Sequence, residues 1–344
     1  MTNGHGDDIY KYQHIKLNFS SNVYNHHNQQ PLTDYLATQL NAIANYPEPT
    51  PATLERMLAE ALGMEPRQVM VTNGATEAIY IISQAYSRSF TTVVVPTFAE
   101  YADACRLNGH IVRMAPSLDA VPEGTDLLWL CNPCNPTGQV TDAEQLLHAI
   151  KSNKNTLFII DASYAPFTDK SLITPIEAAL YPNVLMLHSM TKEFAVPGLR
   201  LGYVTAATSL IDRLRRLQMP WSVNAMAQIA GCWLVDHREN YRLPLDMLLK
   251  ERERVARALS VTGKVDVYPS DTHILLCHLH YGTTAELKDR LARNHGILIR
   301  DASNFEGLDA GHFRIAVQTP RENDILIEAC LSCSELEPVQ PEVN

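Results

Sequence analysis

An alternation of short apolar runs with amphipathic stretches, between about residues 35 and 208, constrains the fold more than any other feature of the sequence. The apolar runs are 69–72, 92–95, 127–131, 157–160, 184–187 and 199–204. Amphipathic segments such as 75–87 and 142–152 fall between some of them. Short apolar runs separated by helices are typical of strands that are buried on both faces. The pattern therefore predicts an α/β fold with a mostly parallel sheet.

The chain changes character from about residue 225. A long helix is predicted over about 224–259, and a further helix near 284–294. The remaining apolar segments of this part are typical of strands and cover 266–268, 273–279, 297–300 and 312–317. This mixture predicts a smaller α+β unit. A length of 344 residues also suggests two domains, at roughly 150 residues per domain.

The charge balance excludes some classes of partner. The chain has 28 Lys and Arg against 38 Asp and Glu, a formal net charge of −10. Nucleic acids and anionic membranes both attract basic surfaces, so neither is expected as the main partner. The sequence has no run of about 20 apolar residues that could span a bilayer. Its polar opening lacks the apolar core of a signal peptide, and we expect a cytoplasmic protein.

The cysteines indicate a reducing compartment and no metal site. Seven cysteines, an odd number without regular spacing, do not suggest a disulfide framework. Two C-x-x-C pairs are present, Cys131 with Cys134 and Cys330 with Cys333. The first pair lies at a proline-rich strand end and the second on a helix-like segment, so zinc or redox chemistry is less expected than packed thiols.

The most informative segment for chemistry is SMTKEFAVPGLR, residues 189–200, which follows a predicted strand. Lys192 is flanked by hydroxyl side chains, and Arg200 follows a Pro-Gly turn. A lysine amine can form a Schiff base with an aldehyde. Ser189, Thr191 and Arg200 can bind a phosphate. A lone lysine at a strand end is usually just solvated, but this spacing suits an aldehyde that carries a phosphate.

The segment resembles the lysine motif of the fold type I pyridoxal-phosphate enzymes, the aspartate aminotransferase superfamily. The resemblance implies pyridoxal 5'-phosphate as the cofactor and an α/β fold with a mostly parallel mixed sheet between helices. It also implies a large cofactor-binding domain over 35–208. The small α+β domain would combine residues 1–34 with 209–344.

The resemblance continues along the chain in the family's order. Gly74, Ala75 and Thr76 lie between a predicted strand and a helix, where backbone N–H groups favour a phosphate. A simple helix cap is the alternative for that turn. Phe98 stands where the family places an aromatic ring over the cofactor, with Tyr101 as a second candidate and core packing as the alternative role for Phe98.

Four more positions match the family. Asn135, in the motif N-P-T-G, is implied as a hydrogen-bond donor to the phenolic oxygen of the cofactor, which Tyr164 would also contact. Asp161 ends an apolar run and would pair with the ring nitrogen, although a lone aspartate there is more often a helix cap. Tyr46 matches a tyrosine that reaches the cofactor phosphate of the neighbouring subunit, which implies a homodimer.

The opening of the chain narrows the resemblance. HGDD at 5–8 and LNFSSN at 17–22 are similar to the H-G-G-N and L-D-F-S-A-N of the threonine-phosphate decarboxylases of cobalamin synthesis. Further similar stretches lie at 98–101, 215–224, 297–300, 307–309 and 313–317. The sequence departs from this family at Asp7 and Asp8, which replace Gly and Asn, and at Asn18, which replaces Asp.

The resemblance also implies a substrate site. Arg314 would bind the substrate α-carboxylate through both nitrogens, while Arg300 would hold the substrate phosphate with Asn22 and His5. Asn135 completes this expected substrate set, and Lys192, Asp161 and Tyr164 are the expected catalytic residues.

The implied reaction is decarboxylation of L-threonine O-3-phosphate to an aminopropanol phosphate and CO2. The alternative is an aminotransferase of the histidinol-phosphate type, because the same residues serve both reactions. A third alternative, the effector-sensing module of a transcription regulator, needs an appended DNA-binding domain and fits the acidic chain poorly.

Overall fold

A seven-stranded mixed sheet forms the centre of the protein, whose residues 7–333 are described by a computed structural model. The strands, in chain order, are β1 (Leu17–Asn18), β2 (Val69–Thr72), β3 (Phe90–Val94), β4 (Ile111–Ala115), β5 (Leu127–Cys131), β6 (Leu157–Asp161), β7 (Val184–Ser189), β8 (Gly202–Ala206), β9 (Val265–Val267), β10 (Ile274–Leu279), β11 (Ile297–Leu298), β12 (Arg300–Asp301) and β13 (His312–Ala316).

Helices precede, separate and follow these strands. They are α1 (Gln30–Thr38), α2 (Ala52–Leu62), α3 (Gly74–Ala85), α4 (Glu100–Leu107), α5 (Ala143–Ser152), α6 (Pro175–Ala178), α7 (Met190–Glu193), α8 (Thr208–Arg215), α9 (Ala225–Asp236), α10 (Leu245–Ser260), α11 (Thr284–Arg290) and α12 (Pro320–Cys333). The start of α5 shows how the sequence fixes a helix end: Asp142 accepts hydrogen bonds from the backbone N–H groups of Glu144 and Gln145.

The large sheet has the strand order β2-β8-β7-β6-β5-β3-β4. All its neighbours are parallel except β8, which runs antiparallel to both β2 and β7. This confirms the predicted α/β fold with a mostly parallel mixed sheet. The predicted strands over 69–72 and 127–131 have the observed bounds. The edge strand β4 was not predicted, because it alternates exposed and half-buried residues instead of forming an apolar run.

Both faces of this sheet are covered. Leu128 and Phe158 pack on one face with Leu146 of α5, while Trp129 and Ile159 belong to the larger core on the other face. Strands β5 and β6 are buried at every position, which is why they appear in the sequence as unbroken apolar runs.

A second sheet, of order β12-β13-β10-β9, is antiparallel throughout and lies in the C-terminal part of the chain. Strand β1 pairs in parallel with β11, with Leu17 opposite Ile297, so the beginning of the chain is tied to its C-terminal part. The domain bounds 35–208, 1–34 and 209–344 remain predictions. No helix within residues 7–333 combines the length and the hydrophobicity that crossing a bilayer requires.

The predicted continuous helix over 224–259 is wrong. The structure has α9, a short 3-10 turn at Arg238–Tyr241, and then α10. Pro244 lies directly before α10. Proline has no backbone N–H to donate and its ring clashes with the preceding turn, so a helix cannot run through this position undisturbed.

Candidate functional site

The chemistry-bearing residues meet at one edge of the large sheet. Asn135 follows β5, Asp161 ends β6, Lys192 lies in α7 after β7, and Gly74 begins α3 after β2. These four strands are parallel to one another, so their carboxyl ends lie at the same edge. A cavity of about 320 Å³ opens there. The predicted site residues that line it are Asn22, Ala75, Thr76, Phe98, Asn135, Asp161, Tyr164, Thr191, Lys192, Arg200, Arg300 and Arg314.

Four predicted residues are not among those lining this cavity. Gly74 lies behind its wall, against the guanidinium group of Arg200. Ser189 lines a neighbouring cavity of about 230 Å³. Tyr46 is 85% exposed on the outer surface. His5 lies outside the described residues.

Asp161 is held by two hydrogen bonds. The hydroxyl of Tyr101 donates to Asp161 Oδ2 at 2.5 Å, and the backbone N–H of Ser163 donates to Oδ1 at 2.9 Å. Tyr101 is itself buried and stacks on Trp129, with ring centroids 5.1 Å apart. Burial, and then the negative charge of Asp161, raise the pKa of Tyr101 well above its usual value, so the hydroxyl remains a donor. Tyr101 therefore orients the carboxylate, while the half-buried Phe98 ring faces the cavity edge-on to it.

Lys192 has an unusual protonation equilibrium. Burial, followed by the positive charge of Arg314, lowers the pKa of its amine to about 8. The amine lies 5.8 Å from the centre of the Tyr164 ring. Asn22 donates a hydrogen bond to the Tyr164 hydroxyl, whose pKa is raised mainly by burial. A lysine whose pKa lies near neutrality can act both as a nucleophile and as a proton carrier.

The start of α3 forms a narrow cradle that a phosphate would fit. Gly74 has a positive φ of 73°, and a Cβ there would lie 2.8 Å from Arg200 Nη2. A Cβ at Gly202 would lie 2.6 Å from the backbone nitrogen of Ala75. Glycine at both positions thus leaves room for a guanidinium group beside the N-terminus of a helix, where backbone N–H groups favour anions. Thr76 and Thr191 also line the cavity.

Two buried arginines of the small sheet also line the cavity. Arg300 of β12 and Arg314 of β13 are directly paired positions in the small sheet. Arg314 donates to Asn135 Oδ1 at 2.5 Å and to Asn22 Oδ1 at 2.9 Å, and also to the carbonyl oxygen of Ser20. All three acceptors are neutral. Burial lowers the pKa of Arg314 to about 10, and burial also lowers that of Arg300.

The second arginine is positioned by the loop that follows β12. Arg300 donates to Asn304 Oδ1 at 2.8 Å, and its guanidinium carbon lies 5.3 Å from the centre of the Phe305 ring. Asn304 and Phe305 both line the cavity, and neither was predicted from the sequence. The signal that could have found Asn304 is its place four residues after Arg300, between the similar stretches 297–300 and 307–309.

The two aspartates that depart from the resembling family have different places. Asp7 lines the cavity, with its Oδ1 accepting a hydrogen bond from Asn18 Nδ2 at 2.5 Å. Asp7 adopts a positive φ of 60°, a conformation that glycine accepts more easily. Asp8 is buried and paired with Lys288 at 2.7 Å and with Lys11 at 3.2 Å. Asp7 therefore adds a negative charge to the cavity, whereas Asp8, the next residue in the chain, forms an ion pair with Lys288.

Comparison with known proteins supplies a family. The sequence profile of the family "aminotransferase class I and II" matches residues 14–330. The threonine-phosphate decarboxylase of Salmonella typhimurium is 31% identical over 91% of this chain and 90% of its own. The histidinol-phosphate aminotransferase of Caldanaerobacter subterraneus is 29% identical over 83% of each.

The solved structures give the same two kinds of relative. The L-threonine-O-3-phosphate decarboxylase of Porphyromonas gingivalis superimposes with a TM-score of 0.90 at 36% identity, covering 93% of this chain and 99% of that one. The histidinol-phosphate aminotransferase of Clostridium acetobutylicum has a TM-score of 0.82 at 24% identity, covering 92% and 99% of the two chains, and this identity supports only the shared fold.

Proposed function

Since the chain belongs to the class I and II aminotransferase family, we propose that it decarboxylates L-threonine O-3-phosphate to an aminopropanol phosphate and CO2. The observation that carries this proposal is the paired Arg300 and Arg314 in one cavity wall, facing the lysine. Two buried guanidinium groups suit a substrate with two anionic ends, a phosphate and a carboxylate. The relatives named threonine-phosphate decarboxylase support the same substrate.

The family membership confirms the predicted cofactor, pyridoxal 5'-phosphate. When bound, this cofactor accepts the electron pair that a bond broken at the substrate α-carbon leaves behind. Lys192 would hold its aldehyde carbon and Asp161 its ring nitrogen, with Asn135 and Tyr164 at the phenolic oxygen. Its phosphate would lie in the cradle at the start of α3, bound by Ala75, Thr76 and Arg200 and by the hydroxyl group of Thr191.

The residues of the chain would divide the reaction between them. Arg314 binds the α-carboxylate, while Arg300 and Asn304 hold the phosphate end, so the α-carbon lies near the Lys192 amine. The bond between the α-carbon and the carboxylate carbon breaks and CO2 leaves; the electron pair of that bond is the one that the bound cofactor would accept until the α-carbon takes up a proton. The protonated amine of Lys192 then donates its proton to the α-carbon. A pKa of about 8 makes this donation possible near neutral pH.

Asp7 helps to assign where in the cavity the substrate phosphate binds. Its carboxylate lies in the cavity with both arginines, and its negative charge partly offsets the lowering by burial of the pKa values of Lys192 and Arg314. Near Arg314, this charge repels a doubly charged phosphate more than a singly charged carboxylate. We therefore assign the substrate phosphate to the Arg300 and Asn304 side.

The second candidate function is an aminotransferase of the histidinol-phosphate type, which the relatives of that name favour. In that reaction Lys192 would remove the α-proton instead of supplying one. Whether the α-carboxylate or the α-hydrogen stands perpendicular to the cofactor ring decides between the two reactions.

A CO2-release assay separates the two functions. Purified holoenzyme with O-phosphothreonine should release CO2 without any added 2-oxo acid. The variant Lys192→Ala should release none and should lose the visible absorbance of the lysine-bound cofactor. If the enzyme releases no CO2 but transfers the amino group of histidinol phosphate to 2-oxoglutarate, the aminotransferase assignment replaces ours. Persistence of the absorbance in Lys192→Ala would mean that another lysine holds the cofactor.

The proposal includes a homodimer in a reducing, cytoplasmic compartment. Several large apolar side chains are exposed near Tyr46, which packs on Trp221 with ring centroids 5.2 Å apart. They include Leu40, Ile43 and Met219, which are 54%, 71% and 70% exposed. A second copy covering this surface would place Tyr46 near its partner's cofactor phosphate. The cysteines resolved at 105, 131, 134, 232, 277 and 330 are free thiols, which suits a reducing compartment.

A further inference from the structure

Two histidines and one aspartate converge on the small sheet, among residues that do not line the catalytic cavity. His278 of β10 and His312 of β13 are directly paired positions on antiparallel strands, so their side chains leave the same face of the sheet. Their ring centroids are 4.4 Å apart. Asp309 lies in the loop before β13, with its Oδ1 at 3.2 Å from His278 Nε2 and 2.8 Å from His312 Nδ1.

We propose that His278, His312 and Asp309 form a binding site for one divalent transition-metal ion, with Zn²⁺ as the probe. Imidazole nitrogen and carboxylate oxygen are ligands that Zn²⁺ accepts at about 2.0–2.2 Å. Tetrahedral bonds of that length separate neighbouring ligand atoms by about 3.3–3.5 Å. The three ligand atoms lie within 4.8 Å of one another, so small side-chain rotations suffice.

The surroundings orient the ligands as a metal site requires. His312 Nε2 lies 3.2 Å from the Tyr268 hydroxyl. The backbone N–H of Asp309 donates to His312 Nδ1 at 3.1 Å, which favours the tautomer whose proton is on Nε2; a bound ion would take the Nδ1 lone pair over from this long hydrogen bond. The backbone N–H of Gly311 donates to Asp309 Oδ1 at 2.9 Å. Such outer hydrogen bonds fix ring orientation and ligand basicity.

The space around the three side chains and their exposure to solvent also suit a bound ion. A Cβ at residue 311 would lie 2.7 Å from His278 Nε2, so glycine there leaves room for the imidazole ring. The His312 side chain is 10% exposed and is fixed by its neighbours, whereas the Asp309 side chain is 67% exposed. An ion can therefore enter from the Asp309 side, and water can complete its coordination. Without an ion, the three side chains are a hydrogen-bonded network.

The test is calorimetric titration of EDTA-treated, tag-free holoenzyme with ZnCl₂. We expect one saturable site per chain that weakens at least tenfold in His278→Gln and in His312→Gln. Asp309→Asn, in an exposed loop position, should weaken binding without disturbing the fold. The matched control is His280→Gln, because His280 is on the same strand end and pairs with Asp266 at 2.9 Å outside the cluster. Its binding should equal that of the wild type.

Two results of the titration would overturn the proposed metal site. Absence of saturable Zn²⁺ binding by the wild type would leave only the hydrogen-bonded network. Undiminished binding in both His278→Gln and Asp309→Asn would place the ion elsewhere, for example at the thiols of Cys131 and Cys134. Circular dichroism and the visible absorbance of the bound cofactor, unchanged in each variant, would show that the fold and the catalytic site are intact.

Discussion

Replacing Arg314 by Gln should abolish most activity while leaving the cofactor-free protein about as stable as before. Burial lowers the pKa of this arginine to about 10. At 1.36 kcal/mol for each pKa unit, keeping the group charged costs the folded protein about 3 kcal/mol. Arg314→Gln removes that cost. The amide of Gln can keep one of the three hydrogen bonds to the neutral acceptors Asn135, Asn22 and Ser20, so the variant loses two, of about 1.5 kcal/mol each. The two effects nearly cancel.

The effect on catalysis has no such compensation. A charge-assisted contact to the substrate carboxylate is worth about 1.5–3 kcal/mol, and a bidentate pair makes two. We therefore expect kcat/KM for O-phosphothreonine to fall by at least about 100-fold, measured as CO2 release. The unfolding free energy of the apoenzyme, measured by urea denaturation, should change by no more than about 1 kcal/mol.

Arg215 provides the matched control. It donates two hydrogen bonds of 3.1 Å to the buried carboxylate of Glu55, whose pKa is raised mainly by burial. Arg215→Gln leaves that carboxylate without its cation and should destabilise the protein by about 3 kcal/mol, with kcat retained by the folded fraction. If Arg314→Gln destabilises the apoenzyme as much as Arg215→Gln does, Arg314 is a structural residue and our reasoning is refuted.

Three further predictions concern the cofactor end of the cavity. Tyr101→Phe keeps the ring stacked on Trp129 but removes the hydrogen-bond donor to Asp161, so the unfolding free energy should fall by about 1.5–3 kcal/mol. The control Tyr80→Phe loses a half-buried hydrogen bond to Glu100, and its unfolding free energy should fall by less. Equal losses in the two variants would contradict a special role for Tyr101. The fraction of molecules with a neutral Lys192 amine increases as pH rises through about 8, so the rate at which the apoenzyme captures pyridoxal phosphate should rise with pH around the same midpoint. A midpoint of this rate near the ordinary lysine pKa of 10.5 would disprove the effect of burial on Lys192. Tyr46→Phe should weaken cofactor retention about tenfold in dialysis without changing the mass that sedimentation gives for the wild type, and unchanged retention would contradict the proposed contact with a partner's cofactor.

The sequence by itself determined the central layer of the fold, and it predicted which residues lie at the cofactor end. Strands β5 and β6 are buried on both faces, so burial left continuous apolar runs that can be recognised without a structure. Asn135, Asp161 and Lys192 follow or end such runs, and parallel strands bring these positions to one edge. For these residues the local sequence pattern predicts the tertiary position, because the topology of a parallel sheet places all strand ends of one kind at one edge.

Other features depend on contacts between distant segments, which leave no local pattern. Arg300 and Arg314 were predicted as separate residues, but only the register of β12 and β13 makes them a pair in one wall. The hydrogen bond from Tyr101 to Asp161 joins residues 60 positions apart, and it distinguishes Tyr101 from Phe98, although both side chains line the cavity. The break between α9 and α10 is a milder case, because Pro244 was visible but the apolar periodicity on both sides obscured it.

The cluster of His278, His312 and Asp309 shows most clearly what the sequence alone does not predict. The cysteine spacing was the only metal-related pattern in the sequence, and it gave no reason to expect a metal. The two histidines come together because β10 and β13 pair antiparallel, and Asp309 joins them because the preceding loop folds back. Local sequence determines which segments become strands, since burial and backbone preference act over a few residues. Strand register and loop closure are decided by the packing of the whole chain, and they determine which side chains meet.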